Sequence, residues 1–182
     1  MYKLFIPPNN YFAKEPREWS KKEVKDYSDW FLKAKPERVT NFRAVMEIHE
    51  DPLSEDDWEA LSNRFYEMVV GAEFSKEEDY TDPLTGAKRN NRIFTNQGFA
   101  LAADMGLFLF DVIERHSDKK LEWSIGKGPK GYVSHNQPVV IDNDSDQLDP
   151  VEIGITTTLA IINGNTTKNR WYSKFKAFQR TL

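Results

Sequence analysis

No cysteine occurs among the 182 residues, which excludes a disulfide framework, a thiolate metal site and a cysteine nucleophile, and suits a reducing compartment. No run of eighteen apolar residues is present, so the sequence predicts no membrane-spanning helix. The start, Met1-Tyr2-Lys3-Leu4-Phe5-Ile6-Pro7-Pro8, lacks the long apolar segment and small-residue cleavage site of an export signal. A cytoplasmic protein away from membranes is the expectation. Acidic residues are missing from one region only: none follows Glu152, whereas Lys168, Arg170, Lys174, Lys176 and Arg180 all do. The body before them is therefore more acidic than the net charge of −4 states, and an acidic body repels nucleic acid and attracts basic partners.

Apolar residues make up 39% of the chain and aromatics 13%, enough for one substantial core and a single domain over residues 1–182. Ser20 with Glu23 is a capping box, and Val24, Tyr27, Phe31 and Ala34 recur at helical spacing, predicting a helix over 21–35 that stops at Pro36. Val39, Phe42, Val45 and Met46 predict a second over 37–48, with Pro36 at its first turn. Ser54 with Asp57 opens a third, striped by Trp58, Leu61, Phe65, Met68 and Val69 and closed by Gly71. Residues 72–94 turn polar and are expected to form a long loop, with a turn at Asp82–Gly86 and a basic patch from Lys88 to Arg92.

The segment after Thr95 is apolar on most sides and therefore predicts a buried helix near 96–116. Phe99, Ala102, Ala103, Gly106, Leu109, Phe110 and Ile113 form one stripe, and Leu101, Met105, Phe108 and Val112 a second. Gln97, Asp104 and Asp111 fall on a single polar line that wants water or a partner. Thr95 is placed as its N-cap, and Gly106 allows close approach of a neighbour. Strands are expected at Tyr2–Ile6, Leu121–Ile125, Tyr132–Val133 and Pro138–Ile141. Asp149-Pro150 opens a helix carrying Val151, Ile155, Leu159 and Ile162 up to Gly164, and a last helix over 168–180 turns Trp171, Phe175 and Phe178 inward. The fold class is α+β: about six helices packed around a small, mostly antiparallel sheet.

Motifs with chemistry are sparse. Gly126-x-x-x-x-Gly131 begins like a phosphate loop but continues into Tyr132-Val133 where Lys-Ser/Thr is required. Asp142-x-Asp144-x-Asp146 begins like a calcium loop, yet Gln147 stands where glycine and Ile153 where glutamate are needed, which favours a solvated acidic turn. His49, His116 and His135 have no metal-ligand spacing, and no nucleophile elbow occurs. Neither a metal nor a cofactor is expected. Asp111 with Arg115 has the spacing of an intrahelical ion pair. An enzyme, most plausibly a hydrolase, would need Asp104, Asp111 and His135 to meet in one cleft. Binding of nucleic acid through the basic C-terminal helix would need Lys174 and Arg180 to form one face with Lys88 and Arg89.

Several segments resemble a family of small bacterial proteins similar to the immunity-type partners of toxins. They are Tyr27-Ser28-Asp29-Trp30-Phe31, Glu37-Arg38-Val39, Leu101-Ala102-Ala103-Asp104-Met105-Gly106, Leu121-Glu122-Trp123, Asn136-Gln137-Pro138-Val139 and Trp171-Tyr172. The resemblance covers most of the chain and implies a non-enzymatic protein that neutralises a target by covering it. It carries no catalytic residue. Combined with the acidic body, it leads to the expectation of a basic protein partner, such as a toxin domain. The candidate contacts are Glu55, Asp56, Asp57 and Glu59, and Glu77, Glu78 and Asp79.

Overall fold

In the computed structural model the described residues are 2–4, 7, 14–81, 86, 88–117, 121–129, 132–141 and 146–181, without the side chains of Arg89 and Thr181. The fold is α+β with five α-helices and two small antiparallel sheets among these residues. A 3-10 turn at Pro16–Glu18 precedes α1 (Lys21–Val45) and α2 (Glu55–Val69). The strands β1 (Ser75–Thr81) and β2 (Lys88–Phe94) follow, then α3 (Asn96–Arg115). After β3 (Glu122–Ile125), β4 (Pro138–Ile141) and β5 (Gln147–Leu148) come α4 (Pro150–Ile162) and α5 (Arg170–Thr181). None of these helices is long and apolar enough to cross a membrane.

The centre is α3, where Leu101, Met105, Phe108, Leu109 and Val112 are fully buried. Thr95 caps it, its hydroxyl accepting from the Gly98 N–H at 3.2 Å. Phe108 packs against Phe42 of α1 at 5.3 Å between ring centres and against Trp58 of α2 at 6.2 Å, and Trp58 meets Phe175 of α5 at 5.3 Å. On the other side α3 and α4 cross at van der Waals distance. A Cβ on Gly106 would lie 1.9 Å from the Pro150 carbonyl oxygen, and one on Gly154 would lie 2.2 Å from that of Ala102. Both positions require glycine because backbone occupies the space.

The helix count is five because α1 runs unbroken through Pro36, where two helices were expected. Proline forfeits one backbone hydrogen bond and costs about 3 kcal/mol in a helix interior. Burial on both sides of it offsets that cost: Tyr27 and Phe31 lie before Pro36, and Val39 and Phe42 after it, all in one core. The carbonyl that Pro36 leaves without a donor belongs to Leu32, a residue on the exposed side.

The polar stretch 72–94 is also not a loop. β1 and β2 pair antiparallel from Ser75↔Phe94 to Thr81↔Lys88, with no third strand among the described residues. Beyond Ser75 every residue of β1 is exposed and the strand shows no apolar alternation, whereas residues 91–94 of β2 are half-buried and the Arg92 N–H donates to Asn163 Oδ1 at 2.7 Å. The expected turn at Asp82–Gly86 lies almost wholly outside the described residues. The second sheet has the order β3-β4-β5, with Glu122 opposite Ile141 and Ile125 opposite Pro138. Tyr132 and Val133 lie in a turn before β4, not in a strand.

Tyr2–Leu4 makes no strand pairing, and Phe5 and Ile6 lie outside the described residues. This segment is held by side chains. The Tyr2 N–H donates to Gln97 Oε1 at 2.8 Å, and Arg38 Nη1 donates to the Lys3 carbonyl at 2.6 Å.

Candidate functional site

The acidic residues singled out from the sequence fall into two separate places. Asp57 is occupied by capping α2: its carboxylate accepts from the Ser54 N–H at 3.1 Å and from the Ser54 hydroxyl at 2.7 Å. Those contacts lower its proton affinity. Glu55, Asp56 and Glu59 are exposed around the same helix start. Glu77 is engaged across the ribbon by Arg92 at 3.3 Å, while Glu78 and Asp79 are exposed beside it. The first group lies around the start of α2 and the second on β1, which follows the other end of that helix.

Asp104, Asp111 and His135 are not brought into one cleft. Asp104 is 0% exposed; Arg38 grips both of its oxygens, Nε at 2.9 Å and Nη2 closer, and the Tyr2 hydroxyl donates to it at 2.5 Å. Burial pushes its carboxyl up to about 6, against the opposing pull of Arg38 and Tyr2. Asp111 pairs with Arg115 at 2.5 Å, the intrahelical pair its spacing predicts. His135 sits in the 132–135 turn.

At the basic end of the chain, Lys168 lies 4.2 Å over the Tyr66 ring and Lys174 lines a cavity with Arg170. Arg180 is exposed near the far end of α5 and Lys88 at the start of β2. The side chain of Arg89 is outside the described residues, as is most of the calcium-loop-like segment, Asp142–Ser145. Among the described residues no three acidic or histidine side chains are grouped to hold a metal ion.

A larger cavity lies elsewhere. It is a groove of about 600 Å³ between the Pro16–Glu18 turn, the first halves of α1 and α3, the 132–138 segment and the start of α4. One wall is aromatic. Trp19 stacks on Tyr27 at 4.7 Å, and Tyr27 and Phe31, one helical turn apart on α1, follow at 6.4 Å. Phe99 and Val133 stand at the rim, 46% and 66% exposed. Asn136 joins the two banks: its side-chain amide donates to the Pro16 carbonyl at 2.8 Å, from a backbone with φ of 65°. Asparagine is among the few residues that tolerate that conformation.

The floor is acidic. Asp149 is the N-cap of α4, accepting from the N–H groups of Val151 at 3.0 Å and Glu152 at 3.1 Å. Burial raises its proton affinity despite these bonds and one with Ser134. Glu152 follows on the first turn of α4 and is half-buried. Burial, and then the neighbouring charge of Asp149, push its carboxyl above the ordinary glutamate range. No hydrogen-bond donor or cation meets the Glu152 carboxylate among the described residues. The other charges of the groove are partnered: Lys14 with Glu23 at 2.7 Å and Glu15 with Arg17 at 2.5 Å, while Glu18 accepts from the Glu15 N–H.

This groove escaped the sequence reading. Asp149-Pro150 registered as a helix start and Phe99 as part of the inner stripe of α3. Only the fold shows that Phe99 faces out and that α4 begins beneath it. No family model, no curated protein and no solved structure matches the chain.

Proposed function

We propose that this protein is a non-enzymatic binding protein that holds a basic protein partner, in the manner of an immunity-type inhibitor, and that the groove is where the partner is anchored. The observation that carries this reading is Glu152: a carboxylate partly removed from water, beside a second buried carboxylate, with no cation to compensate it. Such a group is an incomplete ion pair. A lysine or arginine carried on an apolar segment completes it, while the apolar flank covers Phe99, Val133 and Trp19. The exposed acids Glu55, Asp56, Glu59, Glu78 and Asp79 then act at longer range, accelerating the approach of a basic molecule and making association weaken as salt rises.

The test is affinity capture from the native cell with the wild-type protein, Glu152→Gln and Phe99→Ala in parallel, each identified by mass spectrometry. The expected result is a basic protein retained by the wild type, released by salt, and depleted from both variants. Equal retention by all three, or an acidic partner, overturns the proposal.

A further inference from the structure

A second cavity, further along α4 from Glu152, has the opposite character. It encloses about 340 Å³ where the turn after α4 leads into α5, and its polar lining comes from Thr156, Thr157, Asn165, Thr166, Arg170 and Lys174. No carboxylate among the described residues lines it. Glu152, one turn before Thr156, directs its side chain to the groove, and only its main-chain carbonyl, which accepts from the Thr156 hydroxyl at 2.7 Å, faces this way.

Arg170 and Lys174 lie one turn apart on the same face of α5, and neither has an anionic partner among the described residues. Like charges at that spacing repel each other in an isolated helix. Burial, and then the charge of Arg170, lower the proton affinity of Lys174. Its ammonium lies 5.6 Å from the Phe178 ring. Arg170 is also the first residue of α5, so the cavity lies against the positive end of a twelve-residue helix.

An independent feature points the same way. Thr157 is 4% exposed and lines this cavity, and its hydroxyl makes no hydrogen bond to another described residue. Its neighbour Thr158, equally buried, donates to the Gly154 carbonyl at 2.7 Å. The Thr157 hydroxyl thus lines the same cavity as two cations that also lack a partner among the described residues.

We propose that this cavity binds a phosphate dianion, free or as the terminal group of a small phosphomonoester. A guanidinium and an ammonium supply the two positive charges, the arginine in the fork geometry that suits phosphate oxygens. The Thr157 hydroxyl donates to a further oxygen, and Asn165 and Thr166 border the space left for a polar body. This site is independent of the groove and of the reading drawn from it.

Calorimetric titration of the full chain at fixed ionic strength tests it, with inorganic phosphate and glucose 6-phosphate as probes and chloride as the control. Saturable binding of at least one probe is expected, weakened about tenfold or more by Arg170→Gln or Lys174→Gln. Thr157→Val, which keeps the volume, is expected to weaken binding without lowering the thermal midpoint. Tighter binding of the ester identifies a phosphomonoester as the ligand, and equal binding identifies the free ion. Absence of saturable binding by both probes at millimolar concentration overturns the proposal, as does binding that Arg170→Gln, at an exposed position, leaves unchanged.

Discussion

Two sets of buried carboxylates, one beneath the N-terminal segment and one in the groove, show how differently a fold uses the same chemical group. Asp104 is sealed in the core with a guanidinium on both oxygens and a phenol hydroxyl added. Asp149 and Glu152 lie at the edge of a groove, and Glu152 has no donor at all among the described residues. Removing a charge from water is unfavourable in both places. At Asp104 the chain itself supplies the compensation, and the outcome is structure. At Glu152 no described group supplies it, and in the proposed function a cation of the partner does.

The sharpest way to break this contrast is to strip Asp104 of its partner. Arg38→Met is expected to cost about 3–5 kcal/mol, because it strands a fully buried carboxylate, and the denaturant midpoint measures it. Tyr2→Phe removes one donor and is expected to cost less, about 1–3 kcal/mol.

Asp51 is an intermediate case near the surface. Burial alone would raise its proton affinity, but Arg43 at 2.5 Å, His116 at 2.8 Å and the charge of Arg115 together lower it. Its contribution is present above the ordinary carboxylate range, about pH 4, and is lost as pH falls through its lower folded value. Asp51→Asn is therefore expected to cost about 1–3 kcal/mol at pH 7, a difference that shrinks in urea titrations carried to acid pH.

Glu152 should behave with the opposite sign. Its folded proton affinity is raised, so the native state binds the proton more readily than the unfolded chain does. Wild-type stability from this group rises as pH falls from neutral through the raised value, and Glu152→Gln is expected to lift the thermal midpoint at pH 7 while weakening partner capture. A loss of stability in that variant would place Glu152 with Asp104. The smallest effect is expected at the ribbon: Glu78→Gln with Asp79→Asn should leave stability within about 0.5 kcal/mol of wild type. In stopped-flow measurements with the captured partner, the same change should slow association and flatten its salt dependence.

Where local signals and tertiary packing agree, the elements could be read from the residues. The Ser20 and Ser54 capping boxes, the Thr95 cap, the Asp149-Pro150 start and the paired strands around Trp123 and Val139 all lie where their patterns place them. Pro36 misled because its local preference is overruled by core contacts before and after it in the same helix. The β1–β2 ribbon was illegible because β1 beyond Ser75 meets water on both faces, which removes the alternation that marks a strand. The groove was hidden for a third reason: it draws on segments from Lys14 to Ile155, and no window of sequence contains them.

The crossing of α3 and α4 ties these observations together. Because the Gly106 Cα faces the Pro150 carbonyl directly, the height at which α4 starts is set by a missing methyl group deep inside the protein. A single added carbon at residue 106 would lift Pro150, and with it the carboxylates on either side of that proline, out of line with the aromatic bank opposite. The depth of the groove is thus gauged from within, at a residue buried in the core.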